Sequence, residues 1–170
     1  MEKVKIGIIG IGNMGTSHAK TITEGKVSEL ELVAVADRQE GRRQWCKEHL
    51  PETIQIFEEG SDLIASGLCD AVLVAVPHYQ HPELSIEALQ HNLHVLCEKP
   101  AGVYTKQVRE MNEAAAKSDR VFAMMFNQRT NCVYRKMHEM VANGELGEIR
   151  RVNWIITDWY RTQSYYDSGS

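Results

Sequence analysis

The stretch "HVLCEKPAG" at 94–102 sets Glu98, Lys99 and Pro100 directly behind an apolar run. A lysine held beside a substrate hydroxyl can shuttle a proton while hydride leaves the same carbon, provided that burial or neighbouring charge disfavours its ammonium form. The same three residues are also compatible with a plain surface ion pair of Glu98 and Lys99. Earlier, "GIIGIGNMGTSHAK" at 7–20 spaces Gly10, Gly12 and Gly15 as G-x-G-x-x-G. Between a strand and a helix, the first glycine of that spacing allows a tight turn. The second lets the backbone approach a pyrophosphate, and the third lets the helix pack close to the strand. The free N–H groups of the helix then face the phosphates, with Asn13 and Met14 beside them. Asp37 ends "LVAVAD", about 20 residues beyond the third glycine, where a carboxylate can accept hydrogen bonds from a ribose and repel a 2′-phosphate. That favours NAD over NADP. Arg38, Arg42 and Arg43 keep NADP open, since a guanidinium beside the acid could receive the extra phosphate, and Asp37 could instead cap a helix over 39–49.

A further cluster lies in "VAVPHYQHPEL" at 74–84. Pro77 cannot extend a strand, so the chain turns there. His78 and His81 are spaced like metal ligands, but no third ligand stands at convincing spacing, so no metal is expected. Val76, Pro77, His78 and His81 are instead expected to line the nicotinamide side of a crevice. His91 and His94 flank a turn and read as surface or structural residues.

These residues need a scaffold that brings strand ends together. Runs rich in Val, Ile, Leu and Phe at 3–9, 30–36, 70–76, 93–97 and 120–126 fit strands covered on both faces, with 53–57 as a weaker sixth. Helical patterns fall between them at 13–24, 39–49, 82–91 and 104–118, the last with Tyr104, Val108, Met111 and Ala115 along one face. Strand and helix in alternation predict an α/β fold: a Rossmann-type, doubly wound parallel sheet. In such sheets ligands bind at the carboxyl ends of the strands, where the glycine loop, Asp37, the turn at Pro77 and Glu-Lys-Pro lie. After Phe126 the rhythm changes. A helix is predicted over 131–143 and ends at "NGELG". Val152, Trp154 and Ile156 then alternate with polar residues over 148–157, as in a half-exposed antiparallel strand. Two domains are therefore expected, 1–126 binding NAD(P) and 127–170 beginning an α+β domain with an open antiparallel sheet.

Bulk properties agree with this reading. The 170 residues carry a net charge of −4, and their basic residues are scattered, which argues against nucleic acid and anionic membranes. No apolar stretch approaches the roughly 20 residues of a membrane helix, and the start does not read as a signal peptide, so a cytoplasmic protein is expected. Cys46, Cys69, Cys97 and Cys132 form no C-x-x-C pair and read as reduced, mostly buried thiols.

Taken together, "GIIGIGNMG", "VAD", "VPHYQHPE", "LHVLCEKPAG" and "FNQR" resemble the glucose-fructose oxidoreductase and inositol dehydrogenase family (Gfo/Idh/MocA) over nearly the whole chain, in the family's order and spacing. The Glu-Lys-Pro motif is the specific element. The resemblance implies an NAD(P)-dependent dehydrogenase acting on a secondary alcohol of a sugar or cyclitol, with a second domain that forms the substrate pocket and the homo-oligomer interface. By the same resemblance Lys99 contacts substrate and nicotinamide, Glu98 is its motif partner and a cis peptide bond precedes Pro100. Arg129 falls where the family often has an arginine near the substrate, and Trp159, Tyr160 and Arg161 are similar to a pocket-bordering loop. The family's acid/base histidine has no counterpart, since none of the seven histidines lies after His138. The chain is thus expected to be the N-terminal part of such an enzyme. A non-catalytic NAD-binding module or regulatory subunit is the alternative.

Overall fold

The computed structural model describes residues 2–157 and 160–167. The chain divides into two units, one through Met125 and one from Phe126 onward.

The first unit is a six-stranded sheet in the order β3-β2-β1-β4-β5-β6. Its strands are β1 (Val4–Ile9), β2 (Leu30–Ala36), β3 (Gln55–Phe57), β4 (Ala71–Val74), β5 (His94–Glu98) and β6 (Phe122–Met125). Every neighbouring pair is parallel. Between them run α1 (Asn13–Thr23), α2 (Glu40–His49), α3 (Gly60–Ala65), α4 (His81–Gln90) and α5 (Thr105–Lys117). The apolar runs are continuous because successive side chains serve opposite faces and both faces are covered. Val72 and Val74 join Ala34, Ala36 and Val95 in a core with Leu63 of α3 and Ala88 of α4. Leu73 and Val35 point the other way, into a core with Ala19 of α1 and Cys46 of α2. Each of the Val and Leu side chains among these, once fully buried, contributes about 2 kcal/mol before entropy is counted.

The helix boundaries follow local chemistry. Gly12 is the N-cap of α1, and Pro82 sits in the first turn of α4, where its missing N–H costs nothing. α5 begins at Thr105 and buries Met111; Tyr104 precedes the helix as an exposed residue and does not share the face expected of it. α3, only six residues long, carries too little periodicity to be read from sequence.

The second unit contains α6 (Asn127–Thr130), α7 (Cys132–Ala142) and α8 (Gln163–Asp167). Asn131 caps α7, its side chain accepting the Val133 N–H at 2.9 Å and the Tyr134 N–H at 3.4 Å. Gly144, at φ +73°, follows its end. The antiparallel strand expected over 148–157 is not formed, and among the described residues no strand follows Met125. Alternation marks a face that a sheet would bury, but a strand also needs ladder partners, and one segment alone supplies none. Val152, Trp154 and Ile156 accordingly stay exposed. No helix among the described residues is long and apolar enough to cross a membrane.

Candidate functional site

The strand order reverses between β1 and β4, and the carboxyl ends of β1, β2, β4 and β5 form one edge. The glycine loop leaves β1 there. Gly10 has φ +94°, and a Cβ on it would come within 2.6 Å of the Ala75 carbonyl oxygen, so only glycine fits. A Cβ on Gly15 would overlap the Gly10 carbonyl oxygen, while one on Gly12 would meet nothing within 4 Å. The loop is therefore packed tight on the side of Gly15 and open on the side of Gly12. Buried Ile11 anchors it. No side chain caps the N-terminus of α1, next to which Asn13 and Met14 are exposed.

Asp37 follows β2 and grips this loop. Its Oδ2 accepts the Ile11 N–H at 2.7 Å, and its Oδ1 accepts the Gln39 N–H at 2.8 Å. It does not cap α2, whose N-cap is Gln39. A carboxylate offers about four acceptor positions, so capacity for a ribose remains. Two of the three arginines beside it, Arg38 and Arg43, are engaged. Arg38 Nε donates to Glu59 Oε2 at 2.7 Å. Arg43 donates to the carbonyls of Asp37 and Arg38 and stands 3.2 Å from a Glu58 carboxylate oxygen.

After β4, half-buried Val76 and exposed Pro77 lead into a 3₁₀ turn at His78–Gln80, and His81 opens α4. His81 is 1% exposed, with Nδ1 2.7 Å from the Pro100 carbonyl oxygen and Nε2 2.8 Å from that of Val76. It ties the turn after β4 to the turn after β5. A neutral ring donates to one of these carbonyls at a time, and neither nitrogen is turned toward a ligand. The ring of His78 meets that of His81 edge-on at 5.8 Å. Burial, with the charges of His81 and Lys99 nearby, holds the His78 imidazole below its ordinary value. Among the described residues no three His, Cys, Asp or Glu side chains converge as metal ligands.

Glu98 closes β5 and is 5% exposed. It does not form a surface pair with the Lys99 ammonium. Its Oε1 lies 2.8 Å from His18 Nε2, and its Oε2 accepts the Lys99 N–H at 3.2 Å. The Lys99–Pro100 bond is cis, and the Lys99 side chain is exposed on the crevice edge. Sequence reasoning missed His18. The one available signal was its place three residues beyond Gly15, one turn along α1.

The glycine loop, Asp37, the turn after β4 and the Glu-Lys-Pro turn are thus brought to one edge of one sheet. The remaining site residues belong to the second unit. Arg129 lies in α6 and is exposed, as are Tyr160 and Arg161, while Trp159 lies outside the described residues.

This arrangement has known counterparts. The model of the Gfo/Idh/MocA oxidoreductase family, NAD-binding Rossmann fold, matches residues 4–126. A myo-inositol 2-dehydrogenase of Thermotoga maritima is 33% identical over 145 residues, which make up 85% of this chain and 42% of the relative. An inositol 2-dehydrogenase of Rubrobacter xylanophilus is 33% identical over 147 residues, 86% of this chain and 42% of that protein. The structure of scyllo-inositol dehydrogenase from Lactobacillus casei with bound NAD(H) and scyllo-inositol aligns with a TM-score of 0.82 at 28% identity, over 87% of this chain and 43% of that one. The chain spans about two fifths of the length of the curated relatives it matches.

Proposed function

Because the chain belongs to the Gfo/Idh/MocA oxidoreductase family, with its NAD-binding Rossmann fold, we propose that it holds NAD along the carboxyl edge of its sheet and serves a dehydrogenase acting on a secondary alcohol of a sugar or of a cyclitol such as inositol. The fit of the cofactor rests on one observation above all. The loop is open only at Gly12, at the uncapped N-terminus of α1, and the Asp37 carboxylate stands against that loop. A pyrophosphate suits the first feature and a ribose diol the second.

In this reading Gly10, Gly12, Asn13, Met14 and Gly15 surround the pyrophosphate, and Asp37 and Arg38 border the adenine ribose. Val76, Pro77, His78 and Pro100 form the nicotinamide wall; His81 and Glu98, expected to touch the cofactor, are instead buried behind that wall with their polar atoms on His18 and backbone groups. When bound, NAD supplies the hydride acceptor. Lys99 is the catalytic residue and takes or returns the hydroxyl proton at Nζ. His18 and Glu98 act behind it as positioning residues, since Glu98 receives the Lys99 backbone N–H. Residues 1–126 are the NAD-binding domain, and 127–170 lead into the substrate and oligomer side, with Arg129, Trp159, Tyr160 and Arg161 as its first substrate contacts. A small-molecule substrate, a homo-oligomeric assembly of the longer protein and a cytoplasmic location belong to the same reading.

Exposure of Lys99 favours a second reading for the 170 residues alone: nucleotide binding without turnover. Calorimetric titration with NADH and NADPH tests the first reading, and tighter NADH binding is the expected result. Failure to bind either by a chain that circular dichroism shows to be folded would refute it. Adding myo-inositol and NAD to the same protein tests the second, which robust NADH formation would overturn.

A further inference from the structure

The end of β2 carries more charge than a ribose diol needs. Ala36 pairs with Phe57 in the parallel ladder, and the Asp37 N–H donates to the Phe57 carbonyl at 3.3 Å. That register sets Glu58 and Glu59, which follow β3, level with Asp37 and Arg38, which follow β2. Arg38 and Glu59 meet at 2.7 Å, Arg43 and Glu58 at 3.2 Å. Three carboxylates, Asp37, Glu58 and Glu59, therefore face two guanidinium groups. An arginine at this strand end is the usual receiver of a 2′-phosphate. Of the three arginines that follow Asp37, Arg38 and Arg43 are occupied by carboxylates of their own chain, and Arg43 is held further by the carbonyls of Asp37 and Arg38.

We propose that Glu58 and Glu59 are specificity-determining residues: by engaging Arg43 and Arg38 they withhold two of the three nearby guanidinium groups from the 2′-phosphate of NADP and add to the repulsion from Asp37. This rests on the nucleotide-binding reading above. An entering phosphate would have to break two ion pairs and settle among unpaired carboxylates. NAD, with a hydroxyl at that position, meets neither obstacle. Arginines next to the acid of a glycine-loop fold would by themselves suggest NADP. What cancels that signal comes from a different strand, about 20 residues further on.

The test uses the chain with Glu58→Gln and Glu59→Gln combined, which removes the charge and keeps side-chain size. Affinities for NADH and NADPH are measured by calorimetry near 0.15 M salt, where the Debye length of about 8 Å confines the effect to the neighbourhood. Exposed ion pairs are weak, each worth up to about 5-fold. Two pairs and two lost like charges should together tighten NADPH about 10-fold while NADH stays within about 2-fold. Adding Arg38→Ala to the double variant should return most of the gain, and 2′-AMP against 5′-AMP should reproduce the shift on the adenosine half alone. An NADPH-to-NADH ratio unchanged in the double variant, with NADH still bound, overturns the proposal and leaves the nucleotide reading standing. A folded parent chain that binds no NADH overturns both. If the double variant loses its circular dichroism signature, the single variants carry the test, each with an expected shift of about 3-fold and each overturning the proposal if the ratio stays put.

Discussion

Through Met125 the chain buries Ile8, Ile11, Leu63 and Met111 almost completely. From Phe126 on, it leaves Val152 at 74% exposure, Ile155 at 83% and Tyr160 at 87%. Both parts contain large apolar side chains, so apolar content does not separate them. Pairing does. Each strand of the first unit has a neighbour that satisfies its backbone, and helices then close both faces. The segment 148–157 has strand-like alternation and no ladder, and the described part of its unit contains short helices and a tilted ring contact of Tyr134 with Trp154, 5.6 Å between centroids. Apolar side chains form a core only where the backbone that carries them is paired.

The contrast can be broken at several points. Gly15→Ala should have the largest effect, about 3 kcal/mol in urea unfolding, because backbone of the loop itself would have to move. Gly12→Ala should change stability by less than about 1 kcal/mol and still abolish NADH binding, since its Cβ enters only open space. Equal unfolding midpoints for the two variants would contradict the packed-side, open-side description of the loop. Across the two units, Leu63→Ala should cost about 3 kcal/mol. Ile155→Ala should stay within about 0.5 kcal/mol, and comparable losses would erase the difference between the regions.

The smallest effect concerns the thiols. Burial pushes Cys46, Cys69 and Cys97 of the first unit up to about 11, leaving roughly a thousandth of each as thiolate at pH 8. Cys132 of the second unit is exposed. A disulfide reagent at pH 8 should therefore find one fast thiol, and the other three only after denaturation. Fast labelling of Cys97 would mean that the sheet opens at β5.

The first unit was readable because its strands are buried on both faces and so appear as unbroken apolar runs; even 53–57 yielded β3. The placement of the site was readable for a topological reason, since the glycine loop, Asp37, the turn at Pro77 and Glu-Lys-Pro each end a strand. Long-range pairings were not. The partner of Glu98 is His18, 80 residues earlier, and the partner of Arg38 is Glu59, 21 residues later. Such pairs depend on strand register and on how a helix is seated, neither of which a local pattern encodes. Asp37 illustrates the same limit. Its neighbours suggested a helix cap, yet it bonds to the amide of Ile11 on another strand's loop. Over 148–157 the alternation predicted a half-exposed strand that is not formed, because an alternating pattern does not specify what it pairs with.

The link from His18 to Glu98 also bears on how the protein is made. β1 sits between β2 and β4, and α1 waits for a carboxylate that lies 80 residues further along the chain. A ribosome adding about 5–20 residues per second delivers that partner roughly 4–16 s after His18 itself. For that interval the nascent chain carries its glycine loop without the strand that completes the crevice. The nucleotide edge is thus among the first parts of the unit to be synthesised and among the last to be finished.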